Sequence, residues 1–282
     1  MEYNNNKPLR VFEAFGGYGS QSLALKRLKN DYPTFDYKIV GYSDIEPAAI
    51  KAYMALHKDE SVVNFGDISK IDWNTVPDFD LFTYSFPCTD ISTAGRQQGL
   101  SKGSNTRSSL LWECERAIEE KRPKYLLMEN VPALVQSKFI KEFHLWLNTL
   151  ETYGYESFTE VLNAKDYGVP QNRDRVFCVS ILRTQKMPNP TYYFPKPFRL
   201  EKRLKDVLEE NVDEKYYLSD KMIECFERRT EIAKQRGNGF KFQPTNGNGC
   251  GKAITTLAGN RTDDNFIMED EQDVQDDAKD RR

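Results

Sequence analysis

The residues best able to do chemistry fall in four short blocks. In Ser85-Phe-Pro-Cys-Thr-Asp-Ile-Ser92, Pro87 fixes the backbone just before Cys88. A thiol at the exposed end of a strand becomes a nucleophile when positive charge lies nearby, and otherwise reads as a small buried apolar side chain. In Met128-Glu-Asn-Val-Pro132 a carboxylate follows an apolar run. Burial there favours a protonated Glu129 able to donate, with Asn130 to orient it; a structural glutamate bonded to a neighbouring loop fits the same letters. In Gln171-Asn-Arg-Asp-Arg175 the two arginines alternate with Asp174, so Arg173 and Arg175 share one face if a strand has begun. They serve either a site or the surface.

The fourth block, Phe15-Gly-Gly-Tyr-Gly-Ser20, follows a short apolar run. Glycines there admit a ligand close to the backbone at a helix start, or simply make a tight turn. No Gly-Lys-Ser/Thr follows, which excludes a P-loop, and the third glycine of the dinucleotide fingerprint would fall at Ser22. Asp44 and Glu46 lie where a second strand ends and can bind ribose hydroxyls or sit as charges ahead of a helix at Pro47. Asp67, where a third strand could end, can accept from an adenine amino group or cap a turn. Together these point to an adenosine-bearing ligand without a pyrophosphate. After Cys88, the polar, basic stretch Thr93–Arg107 contains Gly95, Gly99 and Gly103. It reads as a loop able to fold over a substrate and touch phosphates, or as an ordinary solvated loop.

The elements that must position these blocks alternate. Strands are expected at Leu9–Phe15, Lys38–Ser43, Asp80–Phe86, Tyr125–Met128, Phe158–Asn163 and Arg175–Leu182. Helices are expected at Ser20–Lys29, Pro47–Leu56, Ser108–Glu120 and Lys138–Thr152. This order predicts an α/β fold of Rossmann-like type, a mostly parallel sheet with helices on both faces and ligands at the carboxyl ends of the strands. Four prolines in Lys186–Phe198 mark a linker, and Leu200 to about Asn265 reads as a smaller irregular region. It holds the glycine-rich Asn246-Gly-Asn-Gly-Cys-Gly251.

The chain has 282 residues, 39% hydrophobic and 29% charged, enough for a sizeable core. No apolar run is long enough to span a bilayer, and the start lacks the basic and apolar regions of a secretory signal. Five cysteines without a CxxC pair, and two histidines, fit free thiols in a reducing, cytoplasmic setting and no zinc site. Residues 263–282 carry nine acids and three bases, so the net −3 of the chain leaves +3 on residues 1–262. That body permits a DNA partner without demanding one, and the acidic tail reads as disordered.

The four blocks, in this order, resemble the cytosine-5 DNA methyltransferases of bacterial or phage type. The family's Phe-Ala-Gly-x-Gly-Gly is here Phe15-Gly16-Gly17-Tyr18-Gly19-Ser20. Its Pro-Cys matches Pro87-Cys88, with Thr89 in place of the usual glutamine. Glu129-Asn130-Val131 and Gln171-Asn-Arg173-Asp-Arg175 are intact. The match is good over residues 9–183 and looser through Leu200–Phe266, where Ala253-Ile-Thr-Thr-Leu257 looks like a recognition-loop segment.

The resemblance implies a catalytic domain over residues 1–185, a partial target-recognition region over 186–266 and an acidic tail over 267–282. It implies Cys88, Glu129, Asn130, Arg173 and Arg175 as the catalytic set. It implies S-adenosyl-L-methionine held by Phe15, Gly16, Gly17, Gly19, Ser20, Asp44, Ile45, Asp67, Ile68 and Pro87. It implies double-stranded DNA met by Arg96, Lys102, Arg107, Thr255 and Thr256. Two later family blocks, one containing Arg-Glu and a final Gln-x-Gly-Asn-x-x-Pro type, are not found after Phe266. The alternative expectation is therefore a truncated or split-subunit homologue that binds DNA or cofactor and needs a second polypeptide. Methylation of RNA is a further reading that the letters leave open.

Overall fold

The computed structural model describes residues 7–59, 61–92, 98–237, 241–254 and 265–268. Among the described residues eight strands are formed: β1 Leu9–Ala14, β2 Tyr37–Ser43, β3 Leu81–Tyr84, β4 Tyr125–Asn130, β5 Tyr155–Asn163, β6 Gln171–Asn172, β7 Asp174–Leu182 and β8 Gly251–Lys252. The α-helices are α1 Ser20–Asp31, α2 Pro47–His57, α3 Leu111–Lys121, α4 Ile140–Thr152 and α5 Asp220–Gln235. Contacts divide the chain into two compact units, one of residues 1–162 with 175–194, the other of residues 163–174 with 195–282.

The first unit is built on a six-stranded sheet in the order β2-β1-β3-β4-β7-β5. β1 pairs in parallel with β2 and β3, β3 in parallel with β4, and β4 antiparallel with β7. The expected mixed α/β sheet is thus formed. The chain runs outward from β1 to β2 and then returns to the other side of β1 as β3. The strand order therefore reverses between β1 and β3, and the crevice beyond their carboxyl ends is where such sheets bind ligands. The glycine block follows β1 and the Cys88 block follows β3, so topology brings these two blocks to one place.

Burial explains why the strands form where they do. Val11, Phe12, Glu13 and Ala14 are all buried, which suits a central strand covered on both faces. Phe12 lies 5.2 Å from Trp73, 5.4 Å from Phe79 and 6.1 Å from Phe82, ring centre to ring centre. Tyr84 and Trp112 both meet Trp146, whose indole nitrogen donates to the Tyr84 hydroxyl at 3.2 Å. Aromatic packing of this kind anchors the strand ends from below the site.

Several expected bounds move. β3 stops at Tyr84, so Ser85 and Phe86 have left the sheet and begin the Cys88 turn. β5 starts at Tyr155, three residues earlier than expected, and Ser108–Leu110 is a 3-10 turn ahead of α3. No strand ends at Asp67; the nearest pairing is an isolated bridge of Tyr42 with Asn64. Asp67 instead caps the 3-10 turn Ile68–Lys70. β7 begins at Asp174, so Arg173 precedes the strand and does not share a strand face with Arg175.

The second unit is less irregular than expected, because it contains the 16-residue α5. Its Phe226 packs on Phe242 and Phe266 at 5.4 and 5.5 Å. The glycine-rich stretch lets two backbones approach: Leu204 N donates to Gly249 O at 2.9 Å and Lys205 N to Gly247 O at 3.0 Å. A Cβ at Gly247 would sit 3.0 Å from Lys205 Cβ. Of the expected tail, 267–282, Ile267 forms an isolated bridge with Thr245, and 269–282 lie outside the described residues. Among the described residues no helix is long and apolar enough to cross a membrane.

One buried charge is central to the first unit. Glu13, fully buried on β1, accepts from Ser22 N at 2.9 Å, Ser22 Oγ at 2.5 Å and Tyr53 Oη at 2.7 Å. It thereby ties β1 to α1 and α2 and satisfies a backbone donor in the first turn of α1. Glu13→Ala would orphan all three donors. We expect a loss of about 2–4 kcal/mol of unfolding free energy, read by urea denaturation; a loss below about 1 kcal/mol would contradict this role.

Candidate active site

The site is assembled from three chain segments at the carboxyl edge of the sheet. The first is the glycine loop after β1. Phe15, Gly17 and Gly19 all have positive φ, at 54°, 58° and 79°. Gly16 N donates to Ser43 O at 3.0 Å and Gly19 N to Gly16 O at 2.7 Å, closing a tight turn into α1. Gly19 has no alternative, because a Cβ there would lie 2.2 Å from His57 Nε2 and 2.7 Å from Tyr53. A Cβ at Gly17, by contrast, would meet nothing within 4 Å, so this stretch of backbone faces open space.

Asp44, at the end of β2, holds that loop: its Oδ2 accepts from Gly17 N at 2.8 Å and its Oδ1 from Glu46 N at 2.8 Å. Asn64 clamps the Asp44 backbone from the other side, at 3.1 and 3.0 Å. Ile45 follows with its apolar side chain 64% exposed, a flat hydrophobic surface beside the open loop. Asp67 is engaged with Ser69 N and Oγ and with Lys70. The Ser69 hydroxyl foremost, and Lys70 after it, hold its carboxyl below the usual carboxylate range. Ile68 is buried in the core, which leaves its backbone alone to meet a ligand.

The second segment is the turn after β3. Cys88 is half-buried and packs at the edge of the main core. Its carbonyl accepts from Ile91 N at 3.1 Å and Ser92 N at 2.8 Å, which folds the chain tightly around it. A link to the first segment runs through Gln21, whose Nε2 donates to Ser85 Oγ at 3.0 Å while its Oε1 accepts from Ser20 Oγ at 2.9 Å.

The third segment is the end of β4. Tyr84 of β3 is paired with Met128 of β4, so Glu129 emerges one residue past that pair and Cys88 four residues past it on the adjacent strand. The side-chain amide of Asn130, itself buried, donates to Phe86 O at 2.9 Å, and its Oδ1 accepts from Val131 N at 2.8 Å. This bond joins the two strand ends directly. Asn130 is therefore a positioning group between backbones. The apolar burial expected around Glu129 is not what surrounds it. Alternation along β4 turns Leu126, Met128 and Asn130 inward and leaves Glu129 on the less buried face. There its Oε1 meets Arg175 Nε at 2.9 Å, with both side chains about one-fifth exposed.

The remaining expected residues are placed as follows. Arg173 belongs to the second unit, where its backbone bonds Asn163 and Ala164. Lys102 pairs with Glu115 and lies over the Trp112 ring. Arg107 is exposed just ahead of the turn at Ser108. Arg96, Thr255 and Thr256 lie outside the described residues.

Sequence reasoning missed Glu13, although the signal used for Glu129, an acid in an apolar strand, was present in Val11-Phe-Glu-Ala14. It also missed Tyr53 and His57, which support the glycine loop from α2. His57 Nε2 lies 3.0 Å from Tyr18 O, and Tyr53 stacks on Tyr42 at 4.0 Å. Burial foremost, with the Glu13 carboxylate beside it, pushes the Tyr53 hydroxyl far above the usual phenol range, so it remains a donor.

Comparison with known proteins gives this arrangement a family. The family model for C-5 cytosine-specific DNA methylases matches residues 9–281. The type II methyltransferase M2.ScrFI of Lactococcus lactis subsp. cremoris is 43% identical over 266 residues, covering 76% of this chain and 71% of that protein. The orphan methyltransferase M.SssI of Spiroplasma monobiae is 36% identical over 276 residues, covering 77% of this chain and 69% of that protein. In fold the chain is similar to the crystal structure of a Spodoptera frugiperda DNMT2 mutant. The TM-score is 0.72 at 19% identity, over 97% of this chain and 78% of that one. The chain belongs to the C-5 cytosine-specific DNA methylase family, and by that membership is a DNA methyltransferase.

Proposed function

We propose that this chain methylates carbon 5 of a cytosine turned out of double-stranded DNA, through a covalent adduct of Cys88. The observation that carries the reading is the Asn130–Phe86 bond, which supports a shared site for the thiol and the Glu129 carboxyl. Cytosine carbon 5 is a weak nucleophile, and a base inside the duplex is out of reach. Extruding it costs a few kcal/mol. Cys88, as the thiolate, adds to carbon 6, and the electron pair released by that addition makes carbon 5 enamine-like. Glu129 protonates or hydrogen-bonds ring nitrogen 3 and stabilises the charge that addition creates. Arg175 orients Glu129. After alkylation, loss of the carbon 5 proton and expulsion of the Cys88 thiolate restore the aromatic ring and the enzyme.

The residues fit S-adenosyl-L-methionine as the methyl source. The open backbone at Gly17 receives a ligand closely, Asp44 offers a carboxylate at the end of β2, and exposed Ile45 offers an apolar face for an adenine. No lysine stands in the loop to meet a pyrophosphate. When bound, this group supplies an electrophilic sulfonium methyl. Phe15, Gly16, Gly19, Ser20 and Pro87 would complete its walls, with Asp67 and the Ile68 backbone at the rim. Arg96 and Arg107 would meet phosphates, and Thr255 and Thr256 the target bases. A cytoplasmic setting is consistent with five free cysteines and with relatives from bacteria and phages.

Labelled methyl transfer to duplex DNA tests the proposal. We expect transfer by the native chain and none by Cys88→Ser, with DNA retention unchanged. No label on DNA, alone or with candidate partner chains, would sink the enzyme reading. Glu129→Gln keeps the shape but cannot give up a proton, so kcat should fall by about 100- to 1000-fold with little change in KM for the methyl donor. A fall in apparent cofactor affinity alone would remove Glu129 from the chemistry.

A further inference from the structure

We infer that Ser108 and Asp90 are positioning residues for the Cys88 nucleophile, an inference that rests on the function proposed above and assigns two residues to it. Ser108 is fully buried and Asp90 is 5% exposed, although both are polar. The Ser108 hydroxyl donates to Pro87 O at 2.6 Å, and the same oxygen accepts from Asp90 N at 3.2 Å. One hydroxyl thus binds the backbone on both sides of Cys88, at the residue before it and the second residue after it. The reciprocal bond is also made: Asp90 Oδ2 accepts from Ser108 N at 3.2 Å and lies 3.4 Å from Thr89 Oγ1.

The reference point for this clamp is rigid. Ser108 opens the 3-10 turn that leads into α3, and α3 buries Leu111, Trp112, Cys114, Ala117 and Ile118. The far side of the turn is fixed as well. Asp90 O accepts from Gly99 N at 2.9 Å, and the buried side chains of Ile91 and Leu100 flank that bond. Asn130 holds Phe86, Ser108 holds Pro87, and the Asp90 backbone is held twice. The residue between them, Cys88, keeps its side chain free to react while its backbone has almost no freedom. A buried carboxylate is costly unless it is used, and here its use is to complete the clamp. Displacement of a reacting group by about 1 Å can cost 100-fold in rate.

The test is the rate at which an oligonucleotide carrying 5-fluorocytosine captures the full chain in the presence of methyl donor. The burst amplitude counts competent sites, so a change in folded fraction separates from a change in rate. In Ser108→Ala we expect the rate per competent site to fall at least tenfold, with the dissociation constant for S-adenosylhomocysteine within twofold of native. Asp90→Asn keeps an oxygen acceptor and should retain at least a third of the native rate, whereas Asp90→Ala should match Ser108→Ala. A merely structural role would lower the melting temperature and burst amplitude and leave the rate per site unchanged. That result in both alanine variants overturns the inference while the functional reading stands. A native chain that captures no oligonucleotide overturns both.

Discussion

The side-chain amide of Asn130 on the carbonyl of Phe86 is the constraint on which the site depends. Each of the two chemical groups it relates is set by its own strand. Cys88 sits on a turn that leaves β3, and Glu129 on the last residues of β4. Parallel pairing of β3 with β4 brings those ends to the same edge, but pairing alone leaves turns free to splay. A buried amide whose N–H donates to one turn and whose oxygen accepts from the next removes that freedom. Both of its polar ends are satisfied, so its burial costs little and its loss would leave two backbone groups unpaired.

The same device recurs around the crevice. Asp44 holds the glycine loop, Asn64 holds Asp44, and Gln21 joins the glycine loop to Ser85. Ser108 and Glu13 act from deeper in the molecule. Gln21 binds the Ser85 hydroxyl, and in every other case a polar side chain binds a backbone group and thereby aims a neighbour. This leaves the two groups proposed to react lightly used: Cys88 by packing at the core edge, Glu129 by one guanidinium. A preorganised frame with spare valence at the reacting atoms is what adduct chemistry requires.

The sequence made the sheet legible because its strands are short apolar runs ending in glycine, proline or an acid. It made Cys88, Glu129 and the glycine loop legible because such residues are chemically expensive at strand ends. What it hid was reach. Asp67 reads equally as ligand or cap, and only the position of Ser69 and Lys70 reveals the cap. Glu129 reads as an apolar-buried acid, because the letters do not reveal that Arg175, 46 positions later, returns on the antiparallel β7. Arg173 and Arg175 look equivalent until the strand begins at Asp174, between them. α5 escaped notice although Ile223, Phe226, Thr230 and Ala233 carry a helical spacing behind Ser219. The charged residues interleaved with that spacing obscure it.

The most direct measurement of the central claim is a crystal structure of the chain trapped on duplex DNA carrying 5-fluorocytosine. The account predicts a displaced base with its carbon 6 bonded to Cys88 Sγ. It also predicts a Glu129 oxygen within about 3 Å of ring nitrogen 3 and an intact bond from Asn130 to Phe86. A base joined to any other cysteine, or held with Glu129 turned away from its Watson–Crick edge, would contradict it.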